Sequence, residues 1–132
     1  MDQIKLVSDK ITEQEVNSLA YEHAAKETLR LIVFFEGLFS RHKLYCDTIV
    51  SVNDYQFRWR TAQRGFEYRE FEGVDAWMPV KNVFSMEVAA LFLENIGVLY
   101  ESACSEQERV TVALESAIET GNTVADRLVG KE

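Results

Sequence analysis

The chain has few residues of the kinds that interrupt regular structure or cross-link a fold. Its 132 residues include one proline and six glycines, which predicts few irregular segments. The two cysteines, Cys46 and Cys104, lack Cys-x-x-Cys spacing, so we expect reduced thiols rather than a disulfide framework. Hydrophobic residues make up 47% of the chain and charged residues 27%, which predicts one soluble globular domain spanning residues 1–132.

The sequence also lacks a long apolar run. Residues 1–10 mix charged and apolar side chains and so do not resemble a secretory signal. The most apolar segment, residues 88–100, is interrupted by Glu94 and Asn95 and is shorter than the roughly 20 residues that span a bilayer. We therefore expect a cytoplasmic protein without a membrane segment.

Motifs that carry chemistry are missing as well. The chain contains no GxGxxG or P-loop motif, and its two histidines form neither His-Glu-x-x-His nor Glu-x-x-His. His23 and Glu27 have the four-residue spacing of a metal-binding pair, but no second ligand pair follows. We expect no catalytic residue, cofactor or metal ion, and hence a protein that is not an enzyme.

One catalytic alternative is a metal-dependent hydrolase that uses carboxylates on helices. All-helical pyrophosphohydrolases hold Mg²⁺ in this way, but the present spacing does not reproduce their tight Glu-x-x-Glu and Glu-x-x-Asp arrangement. The acidic residues concerned are Glu94, Glu101, Glu115, Glu119 and Asp126.

Two capping-box motifs predict where helices begin. TEQE at residues 12–15 and SEQE at residues 105–108 each pair a hydroxyl with a glutamate three positions later. Apolar residues at three- and four-residue steps predict helices over residues 12–43 and from residue 105 to about residue 129. Residues 85–103, apolar nearly all round, predict a buried helix between them.

The two long helices each carry an apolar face. In the last helix we favour close approach of a neighbouring backbone as the reason for Gly121, since glycine costs about 1 kcal/mol inside a helix. The face of the first helix comprises Val16, Ala20, Ala24, Thr28, Leu31, Phe35, Leu38 and His42. The face of the last helix comprises Val110, Leu114, Ala117, Gly121, Val124 and Leu128.

The first predicted helix is too long for a compact monomer. Residues 12–43 measure roughly 46 Å as an α-helix, whereas a globule of this size is about 36 Å across. Either Gly37 marks a bend or stop, or part of the helix packs on another chain. Together with the nearly all-apolar middle helix, this length predicts a homodimer.

Residues 54–73, DYQFRWRTAQRGFEYREFEG, raise the question of a nucleic-acid surface. Stacking on single strands needs aromatic rings in a positive groove, but four acidic residues balance the arginines here. We therefore favour a core wall and expect no nucleic-acid binding, with an Arg/aromatic nucleic-acid surface as the alternative. The rings are those of Tyr55, Phe57, Trp59, Phe66, Tyr68 and Phe71, and the arginines are Arg58, Arg60, Arg64 and Arg69.

A hairpin register explains the same stretch. If Trp59 pairs with Phe66, then Phe57 faces Tyr68 on the same side of the sheet. On the other side Arg58 faces Glu67, and Gln56 faces Arg69. The four-residue loop 61–64 precedes Gly65, which we expect in a left-handed conformation. A helix over residues 54–72, capped at Asn53, is the alternative.

The predicted fold is α+β: a long N-terminal helix, a small antiparallel β-meander over about residues 45–80, and two C-terminal helices packed on it. With a net charge of −8, the chain resembles small acidic binding proteins such as secretion chaperones, toxin-immunity proteins and phage-encoded inhibitors in size and charge. We expect a non-catalytic protein–protein interaction module that binds or inhibits a more basic protein. The candidate partner-binding residues are Glu94, Asn95, Arg58, Arg60 and Glu67.

Overall fold

The structure is a computed structural model that describes residues 2–70, 76–83 and 85–130. It confirms the α+β class, with a long helix, a four-stranded antiparallel sheet and two further helices. The elements are α1 (Asp2–Arg41), β1 (Thr48–Val52), β2 (Tyr55–Arg60), β3 (Gly65–Glu70), β4 (Met78–Pro79), a 3₁₀ turn (Val80–Asn82), α2 (Met86–Glu94) and α3 (Ile96–Val129). Among the described residues, no helix combines the length and hydrophobicity needed to cross a membrane.

The sheet is a meander in the order β1-β2-β3-β4, and its central hairpin has the predicted register. Trp59 pairs with Phe66, and Arg58 pairs with Glu67. The remaining two predicted pairs, Phe57 with Tyr68 and Gln56 with Arg69, are also confirmed. The helical alternative for this stretch is therefore wrong over the strands that the structure describes, while Phe71 lies outside the described residues.

The conformation predicted for Gly65 is wrong. The left-handed residue of the hairpin loop is Arg64, with φ of 49°, and no described glycine has a positive φ. Gly65 is instead close to α1, because a Cβ added there would lie 2.8 Å from Oε2 of Glu36. The glycine therefore makes room for a carboxylate that approaches the sheet.

Glu36 gives the first testable prediction. Burial raises the pKa of its carboxyl above the usual value, and attraction to Lys81 only partly offsets that effect. A raised folded-state pKa in an acid means that stability is lost as pH rises from the unfolded value through the folded one. Glu36→Gln should therefore increase the free energy of unfolding near neutral pH, and the gain should vanish below the unfolded pKa.

Urea denaturation of Glu36→Gln at neutral and at acidic pH would measure this difference. The matched control is Glu22→Gln, which alters an exposed residue of the same helix. An equal gain for Glu36→Gln at both pH values would contradict the assignment.

The core lies between the inner face of the sheet and the three helices. Phe39 is at its centre: its ring lies 5.2 Å from that of Trp59, 4.8 Å from that of Phe66 and 5.4 Å from that of Tyr100. The fully buried side chains are Trp59, Phe39, Phe57, Phe66, Phe92, Ile32, Leu99 and Val80. The predicted core wall is thus confirmed, but the face that α1 buries is centred on Ile32 and Phe39, beside the predicted one.

Both predicted helix starts are wrong. Helix α1 begins ten residues before Thr12, whose hydroxyl donates to the backbone carbonyl of Ser8 within the helix. Ser105 lies inside α3, which is continuous from Ile96 to Val129. A Ser/Thr-x-x-Glu motif is equally compatible with a helix interior, where the hydroxyl can bond to the carbonyl four residues back.

The predicted single helix over residues 85–103 is also wrong, since it is broken at Asn95. This residue ends α2 and begins α3, with φ of −111° and ψ of 10°. Its side-chain amide donates to the carbonyl of Leu91 at 2.8 Å, which competes with the helical hydrogen bonds there. The break lets α2 lie against α1, while α3 crosses the sheet.

Each long helix extends beyond the body as an arm. Residues 2–24 of α1, the α1 arm, are all exposed, and so are residues 111–130 at the end of α3. Helix α1 continues through Gly37 to Arg41, so the predicted alternative of a stop at this glycine is wrong. We call residues 108–129 the α3 arm.

The arms give the chain an unusually large surface. It exposes 9751 Å². A compact monomer of its mass is expected to expose about 7,100 Å², so the excess is about 2,600 Å². This excess is the structural counterpart of the overlong helix that the sequence predicted.

Candidate functional site

The outer face of the sheet carries three of the predicted partner-binding residues, beginning with Arg58 and Glu67. Their side chains form an ion pair of 2.7 Å and are only 15% and 9% exposed. Trp77 lies over this pair, with its ring centroid 4.0 Å from the guanidinium carbon of Arg58 and 4.4 Å from that of Arg69. Arg69 donates to the amide oxygen of Gln56 at 2.9 Å, so Glu67 compensates the charge of Arg58 while Arg69 has a neutral partner.

Arg60, the third of these residues, binds Asp47 at the edge of the sheet. Its Nε lies 3.3 Å from Oδ2 of Asp47, and the other carboxylate oxygen accepts from the backbone N–H and the hydroxyl of Thr61. Burial acts to raise the pKa of Asp47, but these hydrogen bonds and the charge of Arg60 outweigh it, and the pKa is lowered. The cluster ties the hairpin loop to the segment before β1.

Glu94 and Asn95 lie together at the junction of α2 and α3. Glu94 is exposed, whereas Asn95 is half-buried and its side-chain amide donates to the backbone carbonyl of Leu91. Of the five predicted partner-binding residues, Glu94 alone is exposed. Among the described residues, no hydrogen bond or ion pair joins Glu94 to Arg58, Arg60 or Glu67.

The aromatic rings of the hairpin face the core. Phe57 and Trp59 are 1% exposed, and Phe66 is 2% exposed. The indole N–H of Trp59 donates to the carbonyl of Leu44, which fixes the ring against the loop after α1. These three rings are therefore not accessible for stacking on bases.

Among the five helical carboxylates, Glu115 and Glu119 alone have the four-residue spacing that brings two side chains together. Glu101, Glu108 and Glu115 follow one another at seven-residue steps, which is about 10 Å along a helix. In the described parts of the chain, no three His, Cys, Asp or Glu side chains form a group that could hold a metal ion. His23 and Glu27 have no third ligand in that part of the chain either.

One polar cluster that the sequence did not predict joins the end of α1 to the start of α3. The Tyr100 hydroxyl lies 2.8 Å from Nδ1 of His42. Burial and then the neighbouring Cys104 raise the pKa of Tyr100, so the phenol stays protonated beside the imidazole. Gln107 completes the junction by accepting from the backbone N–H of Tyr45 and donating to the carbonyl of Lys43.

This cluster fastens α3 to α1 rather than preparing a nucleophile. It borders an open groove of about 440 Å³. His42 is engaged by Tyr100, and no hydrogen bond joins it to the Cys104 thiol within the described residues. Cys46 and Cys104 are both free thiols.

Helix α3 has two opposite faces beyond the body. Five exposed carboxylates lie within about 25° of one direction around the helix. We call them the acid line: Glu101, Glu108, Glu115, Glu119 and Asp126. The apolar seam predicted from the sequence lies on the opposite side, and we keep that name for Val110, Leu114, Ala117, Gly121, Val124 and Leu128.

The seam is uncovered in the chain. Leu114, Val124 and Leu128 are 57%, 46% and 63% exposed. A Cβ added to Gly121 would meet nothing within 4 Å, so no other part of the chain approaches this backbone. The seam points the same way around the helix as Leu99, which is buried in the body.

The α1 arm is less regular. Ile4, Val7 and Ile11 form a short apolar line, which is interrupted at Gln14 and Ser18. The large apolar residues of this arm are all more than half exposed. The arm therefore presents a mixed surface, in contrast to the two-faced α3 arm.

Comparisons with known proteins identify no relative from which a function could be inferred. No family model matches this chain, and no curated protein or solved structure matches it either.

Proposed function

We propose that the protein is a non-catalytic protein–protein interaction module that works as a dimer and presents an acidic surface to a more basic protein. The observation that carries this proposal is the α3 arm, which projects from the body with an uncovered seam and an opposing acid line. A monomeric enzyme has no need of such an arm, whereas a binding module exposes the surfaces through which it docks. The resemblance in size and charge to immunity proteins, secretion chaperones and phage-encoded inhibitors agrees with this role.

The acid line is the surface we assign to the basic partner. It places carboxylates along one side of a rigid helix, where they attract cations without the compensating arginines found on the sheet. Glu94, the last residue of α2, is a further exposed carboxylate. The five residues predicted from the sequence thus divide into three on the sheet that form ion pairs, the half-buried Asn95, and the exposed carboxylate of Glu94.

We place the module in the cytoplasm. Cys46 and Cys104 are both unpaired, and such thiols persist where the environment is reducing.

The acid line can be tested with a charge-neutralised variant. A fluorescein-labelled helical peptide with lysines at seven-residue spacing would serve as the basic probe, measured by fluorescence anisotropy. The triple variant Glu108→Gln, Glu115→Gln, Glu119→Gln should bind it about tenfold more weakly, since three exposed charge pairs each contribute a fraction of a kcal/mol. Binding of the wild type should weaken as salt is added.

The matched control removes the same number of charges elsewhere. Asp2→Asn, Asp9→Asn and Glu13→Gln neutralise three carboxylates of the α1 arm and change the net charge equally. This control should bind the peptide almost as tightly as the wild type. Equal losses in the two triple variants, or binding that salt does not affect, would show that the acid line has no special role.

A further inference from the structure

We propose that two copies of the chain pair through their α3 arms in antiparallel orientation, seam against seam, with Ala117 and Gly121 at the centre of the interface. This inference rests on the dimer of the proposed function and deepens it by naming the surface, the orientation and the register. The occupant of the seam is a second copy of this chain.

The exposed area fits an obligate dimer. The chain exposes about 2,600 Å² more than a compact monomer of its mass. Stable homodimers commonly bury about 1,000 to 2,500 Å² per chain. The excess is therefore sufficient for such an interface, even when it is shared with the α1 arm.

The charge pattern around the seam allows two copies of this acidic chain to pair through it. The positions that flank the seam along its length carry no carboxylate, Arg127 is the one charged residue among them, and the acid line points away from the seam. These flanking residues are Thr111, Ala113, Ile118, Thr120, Ala125 and Arg127. Two identical seams can therefore come together without placing carboxylates opposite one another, whereas a basic partner would find no acidic residue beside the seam.

The position of the body selects the antiparallel orientation. Leu99 and Ala103, on the seam side of α3, are covered by the body. In a parallel pair, the body of each copy would occupy the space that the first turns of the other helix require. In an antiparallel pair, each seam begins at Val110, which the body still shields in part, and the rest of the seam lies where α3 is exposed.

One antiparallel register pairs every seam residue of one copy with a seam residue of the other. Val110 lies opposite Leu128, Leu114 opposite Val124, and Ala117 opposite Gly121, with the same three pairs repeated across the two-fold axis. Large side chains meet at both ends, and small ones meet in the middle. The two helices can therefore approach most closely at their centre.

This register also accounts for Gly121. A glycine inside a helix costs about 1 kcal/mol, and the chain itself places nothing near this one. Opposite Ala117 of a second copy, its missing side chain allows the backbones to come close. The α1 arm does not offer an equivalent surface, because Gln14 and Ser18 interrupt its apolar line.

A substitution at Gly121 separates the effect on the interface from the effect on the fold. Gly121→Leu should increase the helicity of the isolated chain, because leucine favours helix and the site is open in the chain. The same side chain would collide with Ala117 of the second copy. We expect dimer affinity to fall about a hundredfold or more in light scattering and sedimentation, while helicity by circular dichroism is retained.

The matched control places the same leucine one residue further along. Asn122→Leu points away from the seam and should leave the dimer intact. A monomeric wild type at micromolar concentration would overturn the pairing, and so would a Gly121→Leu variant that dimerises like the wild type.

Disulfide cross-linking then tests orientation and register. In a Cys46→Ser, Cys104→Ser background, neither Leu114→Cys nor Val124→Cys alone should cross-link, because in an antiparallel pair each faces the other position. A mixture of the two single variants should form a disulfide-linked dimer under mild oxidation. Cross-linking of Leu114→Cys to itself would indicate a parallel pair and overturn the proposal.

These outcomes separate the two proposals. A dimer that cross-links in another pattern would reject this interface but keep the dimer of the proposed function. A chain that pairs as proposed but shows no preference for the acid line in the peptide assay would reject the basic partner while keeping the interface.

Discussion

Replacing Phe39 with alanine should lower the free energy of unfolding by about 3–5 kcal/mol, the largest single loss we expect in this chain. The side chain is completely buried and contacts rings from β2, β3 and α3. Its removal would leave a cavity where the sheet and helices meet, and rigid aromatic neighbours cannot collapse to fill it. Urea denaturation followed by circular dichroism and by Trp59 fluorescence would measure the loss.

The control is Phe34→Ala on the same helix. Phe34 is 45% exposed and touches Phe35 and Arg41 rather than the sheet. We expect this substitution to cost about 1 kcal/mol or less. If the two variants were equally stable, Phe39 would not be the centre of the core.

The second large effect concerns the ion pair of the outer sheet face. Glu67→Ala should cost about 2–4 kcal/mol, because it leaves the charge of Arg58 beneath Trp77 without a partner. The double variant Arg58→Met, Glu67→Leu removes both charges and should recover stability to within about 1 kcal/mol of the wild type.

A double-mutant cycle formed by Arg58→Met, Glu67→Leu and their combination, measured by urea denaturation, would supply the coupling energy between Arg58 and Glu67. Additive losses in the two single variants and the double variant would contradict a coupled pair. In that case Arg58 would remain available to a partner, as the sequence first indicated.

The central hairpin could be predicted from the sequence because both of its faces constrain one register. Trp59 and Phe66 had to share the buried face, and Arg58 and Glu67 then fell opposite each other on the outer one. A shift by one residue would have placed rings beside charges on both faces. Local side-chain alternation therefore contained enough information for this element.

Helix boundaries could not be predicted in the same way. Thr12 and Ser105 each stand in a motif that can begin a helix, but the same residues are tolerated inside one. Conversely, Asn95 ends a helix within an apolar segment that contains no turn motif to predict the break. Its effect depends on a hydrogen bond to Leu91 and on how α2 packs against α1, both of which arise only in the folded chain.

The candidate site was only partly visible in the sequence. The seam followed from apolar periodicity, but the acid line was noticed there only as five separate helical carboxylates. The junction of His42, Tyr100 and Cys104 had no signal, since it joins residues far apart in the chain. The stacking of Trp77 over Arg58 could not be predicted, since no local pattern specifies the position of this ring over the sheet.

The exposure of the α1 arm determines how easily a bound partner can deform this part of the chain. Its first six turns are exposed on all sides and are held by backbone hydrogen bonds and local side-chain contacts such as Lys10–Glu13, without the tertiary packing that stabilises most helices in proteins. Whatever lies against the arm can bend, unwind or straighten it at little energetic cost, while the rings around Phe39 remain undisturbed. The chain thus joins an easily deformed α1 arm to a tightly packed core. The boundary between them lies near Ala25, where α1 first becomes partly shielded from solvent.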